Sequence, residues 1–220
     1  MHPTLSTEDI EKIVKGDHQD PFRILGMHPI WTAEGRAITV RAFHPNAESV
    51  TLTDLPPNGG RIALERIHPD GFFEAVLADQ QDGFSYRFET TYPDQVTNLT
   101  HDPYAFLPVL SDFDLHLISE GNHLSIYEKL GAHPIVQYEV EGVCFAVWAP
   151  NALCVSVAGD FNHWDGRRHP MRSRGASGVW ELFIPELKPG SLYKFELKTR
   201  NGNRITKSDP YGFRMEYRPR

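Results

Sequence analysis

At 220 residues, 40% of them hydrophobic and 23% charged, the chain is long enough for two domains of about 100 residues, each with a buried core. A formal charge of −7, with basic residues scattered apart from Arg167-Arg168 and the last few positions, excludes the basic stripe that nucleic-acid binding requires. No apolar run follows Met1 and no stretch approaches the roughly 20 apolar residues of a membrane span. No membrane association is expected, and the chain reads as cytoplasmic.

In chain order, Ser6-Thr7-Glu8-Asp9 is a helix-capping signal, and Ile10, Ile13 and Val14 form an i, i+3, i+4 stripe ended by Gly16. A short N-terminal helix from about Thr7 to Lys15 follows from this. Next come the alternating segments Ile38 to Phe43, Val50 to Leu52, Phe72 to Leu77 and Phe84 to Phe88. They are separated by Pro-Asn, Pro-Pro-Asn-Gly-Gly, Pro-Asp-Gly and Gln-Asp-Gly turns, which predicts strands. Ser111-Asp112-Phe113-Asp114 then opens Leu115, Leu117 and Ile118, closed by Gly121, a second short helix bridging two modules. Beyond it Val143, Phe145 and Val147 alternate with Cys144, Ala146 and Trp148, and Leu153, Val155 and Val157 follow. Trp180, Leu182 and Ile184 share one strand face, as do Tyr193, Phe195 and Leu197, so Lys194 points to the outer face. The expected fold is all-β: two tandem immunoglobulin-like β-sandwiches with a short N-terminal helix and a short bridging helix. The boundaries are 1–105 for the first sandwich, 106–126 for the helical bridge and 127–220 for the second sandwich.

The two halves repeat one another. Ile24-Leu25-Gly26-Met27-His28-Pro29 returns as Lys129-Leu130-Gly131-Ala132-His133-Pro134, and Phe43-His44-Pro45-Asn46 as Trp148-Ala149-Pro150-Asn151, both at an offset of 105 (26 to 131, 45 to 150). Tyr86-Arg87-Phe88-Glu89 returns as Tyr193-Lys194-Phe195-Glu196, and Asp102-Pro103-Tyr104 as Asp209-Pro210-Tyr211, at 107 (86 to 193, 102 to 209). Residues needed by the fold belong in both copies, whereas residues in one copy are free for another purpose.

Gly159-Asp160-Phe161-Asn162-His163-Trp164-Asp165-Gly166 has no echo, since the first copy has its Pro-Pro-Asn-Gly-Gly turn there. An aromatic ring in a Gly/Asp/Asn-rich loop, if exposed, is a platform for the apolar face of a pyranose, with neighbouring amides taking the hydroxyls. The alternative is that Trp164 folds down on its own sandwich. Trp180 matches Phe73 and reads as core. Lys194 matches Arg87, so a binding role and a plain solvated base both remain open. Cys144 and Cys154 lie in strand-like segments and are expected to be free, buried thiols. No His or Cys spacing suits a metal, His28 and His133 being part of the repeated Gly-x-His-Pro turn, and no cofactor is implied.

Gly159-Asp160-Phe161-Asn162-x-Trp164, Gly178-Val179-Trp180-Glu181 and Tyr193-Lys194-Phe195 resemble the glycogen- and starch-binding module that precedes α-amylase-type barrels. With Tyr127-x-x-Leu130-Gly131-Ala132-His133 and Ser208-Asp209-Pro210-Tyr211-Gly212-Phe213, the whole chain is similar to the N-terminal part of bacterial 1,4-α-glucan branching enzymes. The resemblance implies that the complete enzyme cleaves an α-1,4-glucan (glycogen, maltooligosaccharide) through a covalent glycosyl intermediate and rejoins the fragment to a 6-hydroxyl. It implies that these modules hold the polymer for the catalytic barrel of the same enzyme. It implies Trp164 as stacking platform, Lys194 as hydroxyl donor, and Asn201, Asn203 and Asn162 as further ligand-facing residues. Arg204 stands where strong binders of the family carry a second tryptophan.

Gly212-Phe213-Arg214-Met215-Glu216 superficially resembles the nucleophile motif of such barrels. A retaining glycosidase, however, needs two carboxylates about 5 to 5.5 Å apart, set in this family on a barrel of about 250 residues. No catalytic pair is expected in this chain. Two other readings stay open: structural docking modules that bind little sugar, and a free-standing glycogen-binding regulator.

Overall fold

The computed structural model describes residues 4–55, 59–80 and 82–215; Pro57 of the expected Pro-Pro-Asn-Gly-Gly turn and Glu216 lie outside the described residues. The chain forms two compact units, Met1–Leu107 and Pro108–Arg220.

The first unit opens with helix α1 (Thr7–Val14), whose N-cap Ser6 accepts the Asp9 N–H and which buries Ile10, Ile13 and Val14. Among the described residues eight strands follow: β1 (Gly26–Thr32), β2 (Gly35–Phe43), β3 (Ser49–Leu55), β4 (Gly60–Ala63), β5 (Glu65–His68), β6 (Phe72–Leu77), β7 (Arg87–Thr91) and β8 (Thr97–His101). They make two sheets, ordered β1-β2-β6-β5 and β4-β3-β7-β8. Val40 and Phe73 from the first and Val50, Leu52 and Phe88 from the second meet in one core, each such side chain contributing about 1.5 to 3 kcal/mol by leaving water.

The second unit has helix α2 (Asp112–Ser119) and strands β9 (Gly131–Gln137), β10 (Val140–Trp148), β11 (Ala152–Gly159), β12 (Arg172–Ser173), β13 (Val179–Pro185), β14 (Tyr193–Thr199) and β15 (Arg204–Lys207). Its sheets run β12-β13-β10-β9 and β11-β14-β15, the same order with no equivalent of β4 among the described residues. Helix α2 is capped by a reciprocal Ser111/Asp114 box and packs Leu115 and Ile118 on Leu130, Ala146 and Val179. In the first unit α1 packs likewise on Leu25, Phe43 and Phe72. The helix predicted as a bridge thus packs as the first element of the second unit. Its sequence keeps the offset of 105, which joins Ser6 to Ser111, Ile13 to Ile118 and Gly16 to Gly121.

Shared polar residues are spent on the fold. Glu74 is buried and accepts from Arg41 Nε at 2.8 Å and from the Thr4 N–H at 3.1 Å. Glu181, its counterpart, accepts from Arg174 Nη1 at 2.7 Å and from the Leu110 N–H at 3.0 Å. The Tyr86 hydroxyl donates to buried Asp102 and the Tyr193 hydroxyl to buried Asp209. Each aspartate also accepts an N–H two residues on, from Tyr104 and Tyr211, both at 2.9 Å.

Two expectations are corrected. The Gly-x-His-Pro segments are not turns but the starts of β1 and β9, which lie at sheet edges, where a proline's missing N–H costs no ladder bond. The strand expected at Phe84 to Phe88 is β7, which spans Arg87–Thr91. The ladder begins at the Thr53/Arg87 pair because Asp54 turns to φ 63 and binds Arg87 through its side chain.

Cys144 and Cys154 are both buried and form no disulfide among the described residues; burial, with the Glu181 charge, pushes the Cys144 thiol well above the usual range. No helix of the described residues is long and apolar enough to cross a membrane.

Candidate functional site

The segment after β11 folds as two 3-10 turns, Asp160–Asn162 and Gly166–Arg168, where the first unit has the β3–β4 hairpin. The chain then returns along the edge of β11: the Val157 N–H donates to His169 O at 3.0 Å and the Met171 N–H to Val155 O at 2.8 Å. The loop is therefore clamped at both ends.

Its interior is set by Asn162, only 1% exposed. Asn162 Oδ1 accepts the Gly159 N–H at 2.9 Å, Nδ2 donates to Val157 O at 2.8 Å, and Nδ2 also lies 2.8 Å from His169 Nδ1. The amide is fully engaged, so Asn162, expected at the ligand, instead holds the loop from within. A Cβ on Gly159 would lie 2.4 Å from Leu192 O and 2.6 Å from the Phe161 ring, so only glycine lets the loop and β14 approach this closely. Both loop carboxylates are structural. Burial works to raise the Asp165 carboxyl, but the Arg167 side chain, donating at 2.9 and 2.8 Å, outweighs it and holds the group below the usual range.

His163 and Trp164 both take left-handed backbone, φ 57 and 61, a region that costs a bulky residue roughly 1 kcal/mol or more. The Trp164 N–H donates to Gly159 O at 2.9 Å and the indole Nε1 to Asp160 Oδ1 at 3.0 Å, while Asp160 Oδ2 accepts the Leu192 N–H at 3.3 Å. The ring is tethered at one edge and remains 45% exposed. The surroundings of Trp164 thus hold its ring in one exposed position.

Lys194 is exposed and pairs in register with Ala158, next to the Gly159/Tyr193 pair, which brings it to the Trp164 end of β14. In the first unit Arg87, at the same repeat position, is engaged by Asp54. The residue equivalent to Asp54 is Gly159, and among the described residues Lys194 has no ion-pair partner.

Asn201 and Asn203 lie elsewhere. They belong to the turn between β14 and β15, beyond Thr199, which pairs with Ala152, whereas Tyr193 pairs with Gly159. Six residues of strand separate the two ends by about 20 Å. Asn201 instead lines a cleft beside Trp148, a ring 56% exposed that sequence reasoning passed over because its counterpart Phe43 is also aromatic. The alternation carried no sign of exposure, because Trp148 continues the face of Cys144 and Ala146, both of them buried. Trp180, 5% exposed, donates its indole N–H to Ala149 O at 3.1 Å within the core.

Comparison with known proteins matches residues 6–104 to the alpha-1,4-glucan branching enzyme GlgB, N-terminal domain. Residues 129–212 match carbohydrate-binding module 48 (isoamylase N-terminal domain). The chain is 49% identical over 218 residues to the 1,4-alpha-glucan branching enzyme GlgB of Thermosynechococcus vestitus, covering 99% of this chain and 28% of that protein. It is 50% identical over 212 residues to the enzyme of the same name from Methylococcus capsulatus, covering 96% of this chain and 27% of that protein. The chain thus spans little more than a quarter of the length of these relatives. Among solved structures, pullulanase from Anoxybacillus sp. LM18-11, complexed with maltotriose, aligns over 80% of this chain and 24% of that one, at 18% identity and a TM-score of 0.31, a likeness too weak to bear on the site. With its first unit matched by the branching-enzyme N-terminal domain and its second by carbohydrate-binding module 48, the chain belongs to the family of N-terminal regions of 1,4-alpha-glucan branching enzymes.

Proposed function

We propose that the second unit binds α-1,4-linked glucan, with Trp164 stacking on a pyranose face and Lys194 donating to its hydroxyls. The longer polypeptide, on this reading, is a branching enzyme that transfers α-1,4-glucan segments to 6-hydroxyls on a catalytic barrel beyond these 220 residues. The observation that carries it is the Trp164 ring, exposed and fixed by a loop whose Asp160, Asn162 and Asp165 side chains are all engaged within the unit. One ring and one ammonium group support a Kd on the order of 0.1 to several mM for a short oligosaccharide.

Native electrophoresis of the 220-residue chain through gels with and without glycogen tests this. Migration is expected to slow in glycogen, and Trp164→Ala is expected to lose most of that retardation. Equal migration of the unmodified chain in both gels would leave only a structural role for these units.

A further inference from the structure

We infer that the second unit carries a second α-glucan subsite, built on Trp148 at the opposite end of β11 and β14 from Trp164; this rests on the glucan-binding reading above. Trp148 is the last residue of β10, and its indole Nε1 donates to Ser177 O at 3.2 Å, which fixes the ring with 56% of it exposed. A Cβ on Gly178 would lie 2.6 Å from Pro150 and 3.2 Å from the Trp148 Nε1, so backbone is packed against the polar edge of the indole. Beside the ring is a cleft of about 430 Å³, whose lining includes Asn151, Thr199, Arg200, Asn201 and Ile205, within the size range of small-ligand sites.

The repeat shows what the fold alone needs at this place. In the first unit the equivalent ring, Phe43, is only 6% exposed and packs in the cluster of Ile10, Ile13 and Val14. Arg200, Asn201 and Ile205 replace Pro93, Asp94 and Asn98 at the offset of 107. The second copy has therefore left its aromatic ring open and surrounded it with different residues. The side chains of Asn151, Arg200 and Asn201 are exposed and make no hydrogen bond or ion pair among the described residues, so their polar atoms are free for a ligand.

That chemistry matches a neutral sugar. The flat indole takes the apolar face of a pyranose, and each amide donates and accepts at once, as the hydroxyls beside that face require. A single guanidinium next to two amides is a poor anion site, whereas it serves well as a hydroxyl donor. Separated by about 20 Å of strand, the two subsites bind short oligosaccharides independently, while glycogen engages both and gains avidity.

Titration of the chain with maltotriose, followed through the NMR indole N–H resonances of its four tryptophans, tests the inference. The Trp148 and Trp164 resonances are expected to shift, with buried Trp180 as reference, and the Trp148 shift is expected to persist in Trp164→Ala. Asn201→Ala, which leaves the ring in place, is expected to weaken the binding seen at Trp148 roughly three- to tenfold and to leave that at Trp164 unchanged. A stationary Trp148 beside a moving Trp164 overturns the second subsite and leaves the first standing. If both resonances stay still, the glucan-binding reading itself fails.

Discussion

The indole N–H of Trp164 donates to Asp160 Oδ1 at 3.0 Å, and the other oxygen of that carboxylate accepts the Leu192 N–H at 3.3 Å. Asp160 thus couples the orientation of the ring to strand β14. A side chain held in its binding pose loses less freedom when a ligand arrives, an advantage of about 0.5 to 1.5 kcal/mol per side chain. Asp160→Ala is therefore expected to weaken glucan binding about two- to tenfold with Trp164 still present. Affinity electrophoresis over a series of glycogen concentrations checks this, and unchanged retention would show that the tether is idle.

The two tryptophans flanking the loop should separate binding from folding. Trp164→Ala, at an exposed position, is expected to lose most of its glycogen retention while changing stability by no more than about 0.5 kcal/mol. Trp180→Ala empties a core site and also orphans Ala149 O, for a cost of about 3 to 5 kcal/mol. Urea melts of both variants decide the matter, and a larger loss for Trp164→Ala would refute the assignment.

The loop's internal frame makes a second pair of expectations. Asn162→Ala leaves the Gly159 N–H and Val157 O without their partner, at about 1 to 3 kcal/mol. Gly159→Ala forces a methyl to within 2.4 Å of Leu192 O and should disturb the loop further. Both are expected to lower the melting midpoint and to weaken glycogen retention together. Full retention in a stable Asn162→Ala protein would mean that the ring needs no frame.

How much of this was legible in the sequence depended on whether a residue's environment is local. The strands around Val40, Phe73 and Val157 followed from alternation, and the buried fate of Trp180 followed from its match with Phe73. The repeat singled out Trp164 because hairpin and loop sequences differ. Asn162 was misplaced because an asparagine in a Gly-Asp-Phe-Asn loop looks alike whether its amide faces solvent or closes the turn. Asn203 and Asn201 were grouped with Trp164 because distance along β14 is visible only once the Gly159/Tyr193 and Ala152/Thr199 pairs fix its length. The edge strands carrying Pro29 and Pro134 were missed because proline argues against a strand except where one edge is unpaired.

The first unit should show a pH dependence centred on Asp102. Burial raises this carboxyl, the Tyr86 hydroxyl and Tyr104 N–H only partly offset that, and the result is a pKa of about 6 against the ordinary 3.8. The folded chain thus holds a proton there that the unfolded chain releases. The contribution is complete below the ordinary value and is lost as pH rises through about 6. The stability difference between the native chain and Asp102→Asn should accordingly shift in favour of the variant by about 1 to 3 kcal/mol between pH 4 and pH 7. Denaturant melts across that range test this, and a constant difference would mean that Asp102 keeps its ordinary pKa.

Lys194 and Arg87 offer the sharpest contrast, because one repeat position carries a base in both copies and only one of them is committed. Arg87 binds Asp54 in an exposed pair, the kind worth about 0 to 1 kcal/mol, so Arg87→Ala should change stability little and glycogen retention not at all. Lys194 stands beside Gly159, and among the described residues no carboxylate pairs with it. Its ammonium group is left for sugar hydroxyls near Trp164, and a hydrogen bond to a charged donor contributes about 1.5 to 3 kcal/mol. Lys194→Ala is thus expected to weaken glucan binding by roughly tenfold or more with an unchanged melting midpoint. Lys194→Gln, which keeps a donor without the charge, should recover part of that loss. Equal glycogen retention in Lys194→Ala and the native chain would return Lys194 to the status of a solvated surface base.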